Sequence, residues 1–155
     1  MQPLSPAFIN QLRFNEAGLI PAIAQDWLDG AVLMMAWMNQ DAIEYTLKTG
    51  EVHYWSRSRQ ELWHKGATSG HTQTVRGIRY DCDADVLLLS IDQTGDVACH
   101  TGSRSCFYED RDERSTGGEK ALPPPADACT ELFRTIEDRQ NNPEEGSYTN
   151  KLLEG

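Results

Sequence analysis

Short apolar stretches broken by turn residues run along most of this 155-residue chain, and two segments carry the wider spacing of a packed helix. Residues 19–27 and 31–38 read as strands, with Asp29-Gly30 between them as a hairpin signal. Residues 52–55 suggest a short strand. Residues 73–80 alternate between apolar and polar and residues 86–91 are continuously apolar, so both read as strands. A turn is expected around Gly95, after which residues 97–101 and 106–108 complete a mostly β domain. Ser5-Pro6 marks the start of a short helix, with serine as cap and proline in the first turn. Asn39 caps a second helix over residues 40–49, ended by Gly50, whose Ala42, Ile43, Thr46 and Leu47 form a stripe for the core. Residues 56–72, rich in Gly, Ser, Thr and His, read as a loop.

The pattern changes after Tyr108. Residues 109–120 are charged and contain glycine, and Pro123-Pro124-Pro125 adds a stiff extended piece, so residues 109–127 read as a linker. A further amphipathic helix is expected over residues 128–139, with Leu132, Phe133 and Ile136 on one face. The expected organisation is an α+β, mostly β domain over residues 1–108, the linker, and a helical stub over residues 128–155.

Charge narrows the partners. A formal net charge of −10 opposes general binding to nucleic acid or to an anionic membrane, so an anionic substrate needs a local basic pocket. No apolar run approaches the roughly 18 residues of a membrane span. The N-terminal residues lack the basic start, apolar core and cleavage site of a signal peptide, so a cytoplasmic location is expected. In that compartment the four cysteines are expected to be reduced thiols or metal ligands. Cys129 stands apart and reads as an ordinary small apolar residue.

The other three cysteines carry the chemistry. Cys82 lies within Asp81-Cys82-Asp83-Ala84-Asp85, and Cys99 and Cys106 bound Cys99-His100-Thr101-Gly102-Ser103-Arg104-Ser105-Cys106. Thiolates favour zinc, and three ligands leave a tetrahedral position open for water. Carboxylate oxygens favour magnesium or calcium. The stretch therefore reads as a two-metal hydrolytic centre. Extended backbone would put Asp81, Asp83 and Asp85 on one face and Cys82 on the other, although the chain could instead kink there. Glycine at 102 allows a turn that brings Cys99 and Cys106 together. His100 is a fourth ligand, a proton carrier or a core histidine, with the proton role favoured because adjacent strand residues face apart. Between His53 and Tyr80 five cations (Arg57, Arg59, Lys65, Arg76, Arg79) meet one carboxylate, Glu61, a local +4. Together with the glycine-flanked hydroxyls of Thr68 and Ser69, these cations suit phosphate, and Trp55 or Trp63 could stack on a base. The plainer alternatives are an acidic strand edge, two buried thiols and a solvated basic loop.

These residues closely resemble the phosphoribosyl-AMP cyclohydrolase family of histidine biosynthesis. The matching blocks are Ala36-Trp37-Met38-Asn39, Tyr54-Trp55-Ser56-Arg57-Ser58-Arg59, Trp63-His64-Lys65-Gly66, Thr68-Ser69-Gly70, residues 81–85, Ala98-Cys99-His100-Thr101-Gly102 and Ser105-Cys106-Phe107. They span roughly residues 17–108, in the family's order. Ala67 and His71 depart from the Glu and Asn common there. The resemblance implies a homodimeric, mostly β hydrolase acting on a small nucleotide. It opens the adenine ring of phosphoribosyl-AMP between N1 and C6, giving the formimino aminoimidazole carboxamide ribotide, the third step of histidine biosynthesis. It implies zinc held by Cys82 of one subunit with Cys99 and Cys106 of the other, and magnesium held by Asp81, Asp83 and Asp85. His100 becomes the candidate proton shuttle, and Arg57, Arg59, Lys65, Thr68 and Ser69 the candidate substrate contacts.

Leu132-Phe133 and the residues to Arg139, with Pro143-Glu144-Glu145 and Ser147-Tyr148-Thr149, resemble the opening of phosphoribosyl-ATP pyrophosphohydrolase, often fused behind the cyclohydrolase. The Glu-Glu-x-x-Glu metal helix of that enzyme is not in this sequence. A fragment of a bifunctional protein, or a decayed second domain, is therefore expected, without pyrophosphohydrolase activity. Two rivals remain. A cytidine-deaminase-type hydrolase would need H-x-E and P-C-x-x-C, which the sequence lacks. A zinc-stapled dimerisation module would need neither the Asp triplet nor the basic loop.

Overall fold

The computed structural model describes residues 6–107 and 128–142. The chain divides into two units, residues 1–123 and 124–155, each described by itself.

The first unit is a curled six-stranded sheet. Its strands are β1 (Ile20–Asp26), β2 (Val32–Met38), β3 (His53–Ser56), β4 (Glu61–His64), β5 (Gln73–Tyr80) and β6 (Leu87–Gln93), in the order β4-β3-β2-β1-β6-β5. A short 3-10 helix (Pro6–Gln11) precedes β1, and helix α1 (Gln40–Thr49) joins β2 to β3. The mostly β, α+β class expected from the pattern is the one observed.

Local chemistry accounts for these elements. In β1 every second residue is buried, from Ile20 through Ala22 and Ala24 to Asp26. It pairs antiparallel with β2, Ile20 opposite Met38, across the turn that holds Asp29 and Gly30. Asn39 caps α1 by accepting from the Ala42 N–H at 2.9 Å, and Gly50 stops it in the left-handed conformation. Ala42, Ile43 and Thr46 of α1 are buried, with Leu47 packed beside them. β6 lies between β1, to which it is parallel, and β5, to which it is antiparallel, and it buries Leu87, Leu89, Ile91 and Gln93 while Leu88, Ser90 and Asp92 of its other face are half-buried.

The sheet curls until β5 meets the chain ahead of β3. Val52 N–H donates to Gln73 O at 2.9 Å and Val75 N–H to Gly50 O at 2.8 Å. Ile20, Leu33, Met38, Ile43, Val52, Tyr54, Leu87, Leu89 and Ile91 fill the interior. Within it Tyr54 Oη donates to Gln73 Oε1 at 2.8 Å, and Gln73 Nε2 donates to Gln93 Oε1 at 2.9 Å. Gln93 Nε2 then donates to the Thr72 carbonyl at 3.0 Å, so the network reaches the loop after β4. Tyr54→Phe leaves a buried amide oxygen without its donor, and we expect it to cost about 1–3 kcal/mol. The check is urea unfolding, with a lower midpoint at unchanged slope.

Two expectations need correction. Residues 56–72 are not all loop: Glu61–His64 form β4, paired with β3 from His53↔His64 to Ser56↔Glu61. Leu62 and Trp63 gain packing against the core there, which the polar neighbours hide in the sequence. Residues 97–101 and 106–107 are not strands. The segment bonds to itself as a turn, through Ala98 N–H to Arg104 O (3.2 Å) and Cys99 N–H to Ser103 O (3.0 Å). Tyr108, the Ser5 cap, the linker and the Cys129 side chain lie outside the described residues.

In the second unit helix α2 spans Ala128–Asn141. Leu132 and Phe133 are exposed and Ile136 is partly buried. No helix among the described residues is long and apolar enough to cross a membrane.

Candidate active site

The curled sheet separates the candidate ligands. Residues 81–86 turn from β5 into β6, whereas residues 99–106 follow β6 beyond its far end. The seven residues of β6 span about 20 Å. Cys82 and the Asp triplet thus belong to one end of the sheet, and Cys99 and Cys106 to the other.

At the first end the carboxylates converge through a turn, not through an extended face. Ala84 is left-handed at φ +63°, and its N–H donates to Asp81 O at 3.2 Å. Asp81 Oδ1 accepts from the N–H groups of Asp85 (3.0 Å) and Val86 (3.1 Å). One oxygen each of Asp81, Asp83 and Asp85 lies within 4.8 Å of the others, all exposed. Crowding shifts their ionisation. Local desolvation and the charges of Asp83 and Asp81 raise the Asp85 pKa. At Asp81 desolvation is outweighed by the two backbone donors, and its pKa is lowered. Cys82 is exposed and donates to Asp83 Oδ1 at 3.4 Å, which with the nearby charge raises its pKa. Three hard carboxylate oxygens converging in this way suit magnesium or calcium.

At the other end a cleft of about 420 Å³ holds the thiol pair. Cys99 and Cys106 line it with Lys65, Thr68, Ser69, His71 and His100, and Trp63 and Met34 supply apolar wall. The two thiols lie close enough to shift each other's ionisation. Burial opposes ionisation of Cys99, but bonds from Thr101 (Oγ1 to Sγ, 3.1 Å), the backbone and Cys106 outweigh it and lower its pKa. Burial and the Cys99 charge push Cys106 up to about 11. The two shifts run in opposite directions, and a bound cation would favour the thiolate form of both. Two soft donors make half of a zinc shell.

Lys65 is 6% exposed, and its ammonium reaches His71 O at 3.5 Å. Burial lowers its pKa, while Cys106 and Cys99 pull it back up. Its loop is pinned at Gly66, φ +84°, where a Cβ would stand 2.3 Å from the His71 carbonyl carbon and oxygen. His100 is exposed, with Nδ1 3.9 Å from Cys99 Sγ.

The basic segment does not converge as a whole. Lys65, Thr68 and Ser69 line the cleft, but the arginines are engaged elsewhere. Arg57 covers the Trp37 ring at 5.1 Å, and Arg59 pairs with Glu61 at 3.1 Å. Arg76 pairs with Asp92 at 2.7 Å, and Arg79 bonds Ser90 at 3.3 Å. Trp63 lines the cleft and Trp55 does not. Sequence reasoning noted His71 only as a departure from the family's Asn and gave it no place in the site; it lines the cleft, its Nδ1 meets Thr94 O at 3.2 Å, and its position directly after Thr68-Ser69-Gly70 was a usable signal.

The phosphoribosyl-AMP cyclohydrolase family model matches residues 34–108, which hold every candidate ligand and the whole cleft. The bifunctional histidine biosynthesis protein HisIE of Parasynechococcus marenigrum (strain WH8102) is 82% identical over 155 residues, all of this chain and 70% of that protein. HisIE of Prochlorococcus marinus (strain MIT 9313) is 74% identical over the same coverage. HisIE of Synechocystis sp. is 61% identical over 154 residues, 99% of this chain and 68% of that protein. The chain belongs to the phosphoribosyl-AMP cyclohydrolase family, in its HisIE branch. Membership of the cyclohydrolase family makes the chain a hydrolase of histidine biosynthesis. Among the described residues, the candidate ligands of the cyclohydrolase lie in the cleft and in the acidic turn.

Proposed function

We propose that this chain opens the adenine ring of phosphoribosyl-AMP at N1–C6, in a homodimer whose two metal-binding ends meet across the subunit boundary. The observation that carries this reading is the length of β6 between Cys82 and the Cys99–Cys106 pair. Two thiols at one end leave a zinc shell incomplete, and the third stands exposed at the other end, open to a second copy. Cys82, Cys99 and Cys106 would hold zinc, and Asp81, Asp83 and Asp85 magnesium. Bound zinc supplies Lewis acidity that brings the pKa of water near neutrality.

The remaining work falls to side chains. In the reaction the oxygen of water becomes the carboxamide oxygen at C6, the N1–C6 bond breaks and N1 takes up a proton. His100, exposed beside Cys99, would carry that proton. Lys65, held in the wall with Thr68 and Ser69, faces an anionic part of the substrate, and Trp63 offers a ring to the base. Arg57 and Arg59 reach substrate only by leaving Trp37 and Glu61.

The test is spectrophotometric turnover of phosphoribosyl-AMP by purified protein with zinc and magnesium, repeated after chelation. Metal-dependent ring opening is expected. Asp83→Asn separates the enzyme from a zinc-stapled dimer. An exposed carboxylate changes stability by about 0.5 kcal/mol or less, so a folded dimer with turnover reduced at least tenfold is expected. A variant with undiminished turnover overturns the role of the acidic turn.

A further inference from the structure

Between the two cysteines of the cleft lies a cation that the reading above does not use. Arg104 belongs to the 99–106 turn, yet it is not among the residues that line the cleft. Its Nη2 reaches Asp29 Oδ2 at 2.6 Å and Asp26 Oδ2 at 3.2 Å, and its Nε reaches Asp96 Oδ1 at 2.8 Å. The guanidinium is 14% exposed, and Asp26 and Asp29 are 4% and 6% exposed.

The carboxylates are themselves fixed. Asp26 Oδ1 accepts from the Leu28 N–H at 2.9 Å, and Asp29 Oδ1 accepts from the Ala31 N–H at 2.9 Å. Both belong to the end of β1 and the turn into β2, whereas Asp96 follows β6. One side chain thus ties the thiol-bearing turn to two other segments. The turn's backbone completes the attachment: Arg104 O accepts from Ala98 N–H next to Cys99, and Cys106 N–H donates to Leu33 O at 2.7 Å. Ser105 Oγ donates to Val32 O at 2.8 Å.

We infer that Arg104 is a positioning residue, whose three-carboxylate clamp sets the spacing of the Cys99 and Cys106 thiols in the cleft. Arginine suits this role because its planar fork serves separate acceptors at once, whereas a lysine is a single point of charge. The inference rests on the proposed zinc reading only for its metal consequence; the spacing of the thiols stands without it.

The experiment uses the full chain with Arg104→Lys, at a temperature where circular dichroism shows it folded. Zinc affinity is measured by competition with a chromophoric chelator. In parallel, metal-free protein is titrated with phenylarsine oxide, which forms two As–S bonds to neighbouring thiols and releases water. Isolated thiols such as Cys82 bind it far more weakly. We expect zinc affinity to fall by about 10–100-fold, the usual loss when a support behind a metal ligand is removed, and arsenical affinity to fall with it. A folded Arg104→Lys chain with unchanged arsenical affinity overturns the inference, whatever zinc does. If wild-type chain takes no zinc at these thiols but Arg104→Lys weakens the arsenical, the zinc reading fails and the positioning role stands. If Arg104→Lys does not fold, Asp96→Asn decides, since Asp96 is 53% exposed. A severalfold loss of arsenical affinity then supports the clamp, and no loss overturns it.

Discussion

Cys106→Ala is expected to abolish cyclohydrolase turnover, by on the order of 10³-fold or more, because loss of metal activation withdraws several kcal/mol from the transition state. The same change is expected to strip zinc from the protein and to weaken the dimer, since a ligand shared between subunits links metal, assembly and stability. Its effect on the subunit's own fold is small. The Cys106 N–H bond to Leu33 O is a backbone bond, and neighbouring Ser105 anchors the turn to β2. Cys106 is exposed, so truncation opens no core cavity. Turnover, zinc per chain and sedimentation mass are to be measured on one preparation. A dimeric, zinc-replete and active variant would sink the shared-metal reading.

Gly66→Ala attacks the cleft from the other wall. Two costs add. The first is backbone strain at φ +84°, about 1–3 kcal/mol for a residue with a Cβ. The second is overlap of that Cβ with the His71 carbonyl at 2.3 Å and the Thr72 nitrogen at 2.4 Å. Overpacking of this kind costs about 1–3 kcal/mol, and here the neighbours are backbone and cannot rotate away. We expect a loss of about 3 kcal/mol or more, which lowers the melting temperature by on the order of 15 °C. Because Lys65, Thr68 and Ser69 flank this crossing, substrate KM should rise in whatever fraction stays folded. A melting temperature within 2 °C of wild type, well inside the roughly 4–8 °C expected per kcal/mol, would show that the loop has slack the structure does not reveal.

Much of the fold is legible in local pattern. Asn39 and Gly50 delimit α1, and the alternation of residues 73–80 gives β5 with the observed bounds. Those signals act over a few residues, through caps and a period of two, and need no distant partner. β4 escapes because four residues are too few for a period, and Leu62 and Trp63 count as apolar only once they meet the core behind β3. Residues 97–101 read as a strand, yet the backbone N–H groups of Ala98 and Cys99 donate to Arg104 and Ser103 and Cys99 O accepts from Gly102, so the segment closes on itself as a turn.

The candidate chemistry divides along the same line. The sequence by itself determined the family, the soft and hard donor sets and the hydroxyl-rich loop, because these are matters of residue type and order. Only the tertiary structure decided which groups meet. Cys82 is 17 residues from Cys99, close along the chain, but β6 runs its full length between them. Five cations close in sequence send one, Lys65, to the cleft, because each arginine finds a ring, a carboxylate or a hydroxyl nearer by. Arg104 drew no notice in the sequence, where its three carboxylates lie 8, 75 and 78 residues away. Charge and ligand type are properties of a residue, whereas convergence depends on long-range strand pairing that brings separate turns to the same end of the sheet.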